Sequence, residues 1–284
     1  MTPLNTILTI PGANWKHDFL NKLAHTKDFP TRLRLFGIIR KFWKLDILKF
    51  KTSSGLQLWL DINDWVQHQI YFFGVYESKS VALFRDLSRN ASVIFDIGSH
   101  IGQYSLECAQ ADVTLSKQIF AIEVNPKTFM YLLNNIQLNR FSNVRPVLGA
   151  ISSKPGIVNI NIPAYWNMGN TQINNDTENE GFDNYLASAF SIVSLLEKYE
   201  IQRIDLVKID VEGHELDVLN SLFEQNIFPL NIIFEFIPHL FTQSPAVIGL
   251  LTMKGYIIKD IEGNSHSPEN KVPEQNLWAQ KISP

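Results

Sequence analysis

The chain has 284 residues, 45 % of them hydrophobic and 19 % charged, a globular balance with room for one large α/β domain or two small ones. Its net charge of −3 and pI near 6.2 exclude the strong basic excess of a protein built around nucleic acid, and its single cysteine, Cys108, excludes an internal disulfide framework. No run approaches the ~20 apolar residues of a transmembrane helix, and Met1–Trp15 lacks the charged start and long apolar stretch of a secretory signal, so a cytoplasmic protein is expected.

Residues 1–55 read as an N-terminal helical extension and 56–284 as the main domain. Ten Lys and Arg but only three Asp fall between Lys16 and Lys51. Within that zone Leu35, Ile38, Ile39 and Phe42 follow the i, i+3, i+4, i+7 spacing of one helix face. Such a face either packs over the main domain or makes peripheral contact with an anionic membrane, and packing is the expectation. Residues 56–62 alternate like a strand. From Val93 onward strands and helices alternate, the pattern of a parallel sheet covered on both faces. Val93, Ile94 and Phe95 form the all-apolar run of a doubly buried strand, and a helix over 101–110 carries Cys108 as a small buried hydrophobe. A strand at 118–124, a helix from Pro126 with Asn125 as its N-cap, and a strand at 143–151 follow. The pattern lapses over 152–190, where Val158–Ile162 alternates as a strand and a polar tract from about Asn167 to Asn184 reads as a long loop. It resumes with a helix at 193–199, a fourth parallel strand at 205–210, a helix at 214–225, a strand at 231–236 and a helix at 245–254 closed by Gly255. Residues 256–261 and 277–282 pair as a terminal antiparallel hairpin.

The chemistry concentrates on the strand–turn–helix Asp96-Ile97-Gly98-Ser99-His100-Ile101-Gly102. Gly98 and Gly102 let the backbone turn sharply and let a ligand come close, and His100 tolerates a left-handed conformation between them. Ser99 and the free N–H groups of the following helix face the same ligand. A dinucleotide site would carry G-x-G-x-x-G, whereas here the spacing is Gly-x-x-x-Gly. Asp96 would repel a pyrophosphate but suits the ammonium of a methionine moiety. Glu123, 21 residues after Gly102, ends the next strand, where it can accept hydrogen bonds from both hydroxyls of a ribose. The loop therefore points to a nucleoside cofactor, and to S-adenosylmethionine (SAM) rather than NAD.

A second motif, Asp-Leu-Val-Lys-Ile-Asp-Val-Glu-Gly-His-Glu over residues 205–215, joins the first loop. Together they make the chain resemble the FkbM family of methyltransferases. The resemblance continues through Gly74-Val75-Tyr76-Glu77, Glu123-Val124-Asn125-Pro126, Asn134 to Asn139, Ala150, Gly156 and Phe234-Glu235, and covers roughly residues 60–260. It implies an α/β class I methyltransferase (Rossmann-like) fold, a seven-stranded sheet with six parallel strands and one antiparallel, helices on both faces. It also implies SAM as methyl donor and a hydroxyl acceptor on a sugar, glycolipid or secondary metabolite. By family position Tyr76 and Glu77 become contacts to the methionine end of SAM. Two departures stand out: His100 occupies a place where the family often has asparagine, and no polar residue follows the third strand to read adenine, a task left to the backbone at Gly149–Ile151.

Ligands of open α/β sheets bind beyond the carboxyl ends of the strands, so Asp96, Glu123, Asp210 and Glu235 are expected to converge on one crevice. An alcohol acceptor must lose its proton, and because histidine is the residue type suited to proton transfer near neutrality, His214 is the first candidate base. Asp210 or Glu212 could act as base instead or orient the histidine, and Asp210 also counts among the cofactor contacts. Glu215 reads as an acid opening a helix. Asp210 and Glu235 could hold Mg²⁺, but the usual acid-rich cluster is not evident and no metal is expected. A competing NAD-linked oxidoreductase or epimerase would need the missing glycine fingerprint. A non-catalytic partner protein would have lost the glycine loop or the acids around Asp210, and both are present. The expected partner is a small-molecule or glycan acceptor and not nucleic acid; the sequence carries no code for the acceptor's identity or for oligomeric state.

Overall fold

A computed structural model describes residues 14–25, 31–112, 116–163, 168–169, 171–173, 182–267 and 272–282. The expectations for residues 1–13 and for most of the tract over 164–181 lie outside them. Helices α1 (Asn14–His25) and α2 (Arg32–Trp43) precede a hairpin of β1 (Ile47–Lys51) and β2 (Gln57–Asp61). Helices α3 (Trp65–Phe73) and α4 (Ser78–Ser88) lead into β3 (Val93–Ile97), α5 (Gln103–Ala111), β4 (Gln118–Glu123), α6 (Pro126–Asn139) and β5 (Val144–Leu148). Then come β6 (Ala150–Ile151), β7 (Gly156–Pro163), β8 (Gln172–Ile173), β9 (Phe182–Phe190) and α7 (Ile192–Lys198). The chain closes with β10 (Leu206–Ile209), α8 (Glu215–Phe223), β11 (Asn231–Glu235), α9 (Ser244–Met253), β12 (Tyr256–Asp260) and β13 (Asn276–Lys281).

The main sheet has seven strands in the order β12-β13-β11-β10-β3-β4-β5. β13 runs antiparallel to both of its neighbours and the other six strands are parallel, which is the arrangement of a class I methyltransferase. The order reverses between β3 and β10, and a crevice opens at such a switch point. Side chains alternate across the sheet, so Ile94 packs with Leu106, Ile119 and Leu132 on one face while Phe95 packs with Phe120, Val207 and Leu219 on the other. Leu20 of α1 and Phe36 of α2 belong to the first of these cores, so the N-terminal helices share the main domain's interior. Each such side chain contributes roughly 1.5–3 kcal/mol of burial energy. Cys108 is fully buried and burial pushes its thiol up to about 12, the state of an inert hydrophobe. Asn125 caps α6 as expected, its side chain accepting from the Lys127 N–H, and Gly255 follows α9 with φ of +77°.

Three local expectations are corrected. The strand expected over 143–151 breaks at Gly149, where φ is +145° and a Cβ would sit 2.5 Å from Phe190 Cε1. β5 stays in the main sheet, and β6 leaves it to pair with β9. β9 itself, antiparallel to β7 over Phe182–Ala189, begins inside the expected loop. Asp183, Asn184, Tyr185 and Leu186 are all exposed, so that half of the strand has no alternation to betray it. Finally, α2 does not pack the face picked out by spacing. Leu35, Ile38 and Phe42 are 36, 60 and 82 % exposed, while Phe36 is buried and Ile39 and Trp43 are partly buried against the core. The helix has apolar residues nearly all round, so more than one stripe satisfies the periodicity. No helix among the described residues is long and apolar enough to cross a membrane.

Candidate active site

A cavity of about 340 Å³ lies beyond the carboxyl ends of β3, β4, β10 and β11, walled on one side by α3 and the start of α4. Gly98, Ser99 and His100 line it. Gly98 has φ of +84°, and a Cβ there would stand 1.7 Å from the carbonyl oxygen of Asp210. The glycine is thus needed where the β3 turn meets the β10 turn, a role beyond ligand approach. His100 is left-handed, with φ of +51°, and its N–H donates to Glu123 Oε2 at 2.7 Å. The Asn125 N–H donates to Glu123 Oε1, also at 2.7 Å. The Glu123 carboxylate is therefore held across two strand ends, and each oxygen keeps a lone pair for a further hydroxyl. Ser99 Oγ is buried without a partner among the described residues, as a group awaiting a polar ligand would be.

Two expected contacts sit below the cavity instead of in its lining. Asp96 is fully buried, and its Oδ2 accepts from the Ser105 N–H and hydroxyl at 3.1 and 2.7 Å, fastening the first turn of α5. Gly102 starts that helix with φ of +92° and backs onto Leu132. Beside Asp96, and lining the cavity, stands Lys208, which sequence reasoning passes over although it lies inside the second motif. It is the register partner of Asp96 across β3 and β10. Its Nζ donates to Asp210 Oδ2 at 2.6 Å and lies 4.5 Å from the centre of the Tyr104 ring. Burial opposes its charge, but Asp210, Glu77 and Asp96 outweigh burial and hold its pKa above the usual lysine value.

Around this one buried cation the acids outnumber it. Glu77 opens α4 with φ of +52°, lines the cavity and accepts from the Tyr104 hydroxyl at 2.6 Å. Burial, set against Lys208 and aided by Asp210, raises its carboxyl to about 7. Burial and the neighbouring Asp210 raise Glu212 to about 8. Burial, Asp210 and Glu212 push Glu235 well above the carboxylate range, and its Oε2 has no partner among the described residues. Asp210, Glu212 and Glu235 each bring one oxygen within 4.8 Å of the others, so an acid-rich cluster does exist, contrary to the expectation from sequence. Glu212 joins it because the left-handed turn at φ of +52° swings it back over the strand end, which spacing alone does not reveal. The trio could hold a divalent cation or offset the positive charges of a sulfonium ligand.

His214, at the start of α8, also lines the cavity. Its Nε2 lies 2.8 Å from the carbonyl oxygen of Ile173, which can only accept. The neutral ring therefore carries its proton on Nε2 and leaves Nδ1 as the basic nitrogen. Glu215 fastens the turn before it, accepting from the Val211 and Gly213 N–H groups at 3.2 Å each, in line with its reading as a helix-opening acid. Ile173 belongs to the polar tract, whose described part is tied over the cavity from two sides. Asn125 Nδ2 donates to the Met168 carbonyl and to Thr171 Oγ1, at 3.2 and 2.9 Å. The Met168 N–H donates to Asp64 Oδ2 at 2.8 Å. Sequence reasoning misses Asp64; it also caps α3 by accepting from the Gln67 N–H at 3.0 Å, and it lies 3.8 Å from His100 Nε2. Its Asp-before-helix position is the one available signal. Gln103, equally missed, clamps Tyr76 by exchanging backbone hydrogen bonds of 2.8 Å in both directions. Gly149, Ala150 and Ile151 line the end of the cavity beside Glu123, where an adenine would follow a ribose.

A family model described as the methyltransferase FkbM domain matches residues 96–258. The chain is similar to the hexuronic acid methyltransferase AglP of Haloferax volcanii, 27 % identical over 146 residues that make 51 % of this chain and 56 % of that protein. It is also similar to the tRNA (guanine(37)-N(1))-methyltransferase Trm5b of Pyrococcus abyssi, 29 % identical over 116 residues, 40 % of this chain and 32 % of that one. The matches span about a third to just over half of these curated relatives' lengths. Among solved structures, the SAH-bound methyltransferase PaMTH1 of Podospora anserina superposes with a TM-score of 0.46 at 10 % identity, covering 90 % of this chain and 99 % of that one. TYW2 of M. jannaschii in complex with AdoMet gives 0.43 at 14 % identity, covering 84 % and 87 %.

Proposed function

The chain belongs to the FkbM methyltransferase family and is SAM-dependent, and we propose that its acceptor is a hydroxyl of a sugar or sugar-bearing metabolite. The observation that carries this reading is His214, whose Nε2–H is committed to the Ile173 carbonyl so that Nδ1 is the nitrogen able to take a proton. SAM when bound supplies a sulfonium methyl for direct displacement by the acceptor oxygen. The residues of the chain do the rest. Glu123 accepts from the ribose hydroxyls, Ser99 adds a polar contact, and the backbone at Gly149–Ile151 frames the adenine. Glu77, Asp210 and Glu212 balance the cofactor's positive charges, and Asp210 or Glu212 orients the acceptor. Aligning the reacting atoms in the cavity is worth up to ~7–11 kcal/mol in ideal cases. His214 Nδ1 removes the hydroxyl proton as the new C–O bond forms. AglP acts on a hexuronic acid, which supports the sugar class of acceptor.

The test combines calorimetry with a transfer assay. SAM and S-adenosylhomocysteine (SAH) should bind and NAD should not. Label from methyl-tritiated SAM should pass to neutral glycosides or uronides and survive mild alkali, as an ether does. His214→Ala should lower kcat by ~10²–10⁴-fold with SAH affinity kept. Wild-type turnover in His214→Ala, or alkali-labile label marking a carboxyl ester, would overturn the hydroxyl reading.

A further inference from the structure

The structure leaves an apolar strip on the two N-terminal helices. Leu35, Ile38 and Phe42 follow one face of α2, and Trp15 and Phe19 follow one face of α1; all five are exposed, Phe42 by 82 % and Trp15 by 62 %. The two faces meet at Trp43, whose ring lies 5.4 Å from that of Trp15 and 5.7 Å from that of Phe19. A helix turns 100° per residue, so Arg34 and Lys41, both exposed, occupy the strip next to Ile38 and Phe42. Lys44 follows, exposed, and Lys16 sits over the rings of Trp15 and Trp43 at 5.8 and 5.5 Å. The rim of the apolar strip thus carries cations on both sides, with Asp18 an exposed acid on its α1 part.

Charge is also divided along the chain. Ten of its 25 Lys and Arg, but three of its 28 Asp and Glu, lie between Lys16 and Lys51, so that segment carries +7 and the remainder −10. Such a division orients the molecule in the field of a negative surface, with the helices forward and the acidic body away. We propose that the α1–α2 face docks on an anionic phospholipid surface, its aromatic and aliphatic side chains entering the headgroup boundary and its lysines and arginines meeting lipid phosphates. Contiguous exposed apolar side chains mark an interaction site, and a rim on which Arg34, Lys41, Lys44 and Lys16 outnumber the exposed Asp18 selects phosphate-rich partners. Aliphatic Leu35 and Ile38 at the centre of the strip favour lipid over RNA, whose backbone offers them nothing to bury against. The α3 helix, next to α2 through Phe72 and Phe36, turns its other side, with Trp65, Val66 and Ile70, into the cavity. Docking therefore brings a wall of the acceptor site close to the surface, whichever acceptor the enzyme takes.

The test is co-sedimentation of the full chain with vesicles of phosphatidylcholine mixed with phosphatidylglycerol, against phosphatidylcholine alone. The expected result is binding to the mixed vesicles only, weakened by salt. Ile38→Ser with Phe42→Ser, and separately Lys41→Glu with Lys44→Glu, should each weaken binding by at least about tenfold, with melting temperature and SAH affinity unchanged. Absence of binding to anionic vesicles, or wild-type binding by the Ile38→Ser, Phe42→Ser protein, would overturn the proposal. So would retention of an RNA oligonucleotide in place of vesicles, or a dimer that the same two serines dissolve while vesicles are ignored.

Discussion

Gly98→Ala is the substitution whose outcome the geometry constrains most tightly. The new methyl would begin 1.7 Å from the Asp210 carbonyl oxygen, and real Cβ contacts do not fall under 3.0 Å, so the two turns must part. The obstacle is backbone on both sides, and no rotamer can relieve it. Alanine at φ of +84° adds strain of about 1–3 kcal/mol. Parting the turns also stretches the bonds of 2.9 Å from the Asp210 N–H to the Ile97 carbonyl and from the Gly98 N–H to the Ile122 carbonyl. At about 0.5–1.5 kcal/mol each, these bring the expected loss to roughly 2–6 kcal/mol. For a chain of this size that corresponds to a fall in melting temperature on the order of 10 °C. Gly102→Ala is the control. Its φ is similar at +92°, but the methyl meets the movable end of Leu132 at 2.5 Å, so chiefly the backbone strain remains and the fall should be about half as large. Thermal melts of both variants, with SAH calorimetry on the survivors, decide the matter. A Gly98→Ala protein that melts within a degree or two of wild type and still binds SAH would refute the close-approach account.

Two further outcomes follow from the acids around Lys208. Burial holds Glu77 near 7 and Glu212 near 8, both above the ordinary 4.5, so the folded state favours their protonated forms. Their contribution to stability is complete below pH 4.5 and is lost as pH rises through about 7 and 8, so the ligand-free protein should melt higher at pH 6 than at pH 9, and Glu212→Gln should flatten that slope. A melting temperature that rises with pH across this window would contradict the assignment. Lys208→Met removes the cation from among Asp210, Glu77 and Asp96; breaking such a buried pair costs ~3–5 kcal/mol, and the loss should shrink at low pH, where the stranded carboxyls protonate. Equal losses in melts at low and high pH would show that Lys208 only fills space.

How much of this is readable beforehand depends on whether a residue's role is local. The apolar run Val93–Phe95, the Asn125 cap before Pro126 and the terminal hairpin are written in neighbouring residues, and each lies where expected. The left-handed His100 follows from its place between two glycines. By contrast, Lys208 looks like an interruption in an apolar strand until β3 is set beside β10 and Asp96 comes into register with it. Asp64 joins Met168, 104 residues away, through a bond that no periodicity announces. The acid trio escapes notice for the same reason, because its members come from two strand ends and a reversed turn. On α2 the difficulty is excess of signal: with apolar residues on most sides, only contact with Leu20, Tyr71 and Phe72 decides which are buried.

The departure of the chain from the main sheet at Gly149 has a consequence for how such an enzyme diversifies. β6 to β9 form a separate four-stranded sheet in the order β6-β9-β7-β8. It joins the main sheet's core through Ile151 and Phe190 and is tied down by the polar contacts of Asn125, Asp64 and His214. The described strands β6–β9 thus form a cartridge set between β5 and α7. Sequence drift or exchange there can reshape what the enzyme accepts without disturbing the floor made by Gly98, Glu123 and Asp210. Relatives of this chain should accordingly keep one cofactor seat and differ in the cartridge, with innovation in substrate range concentrated in the stretch of sequence that reads least regularly.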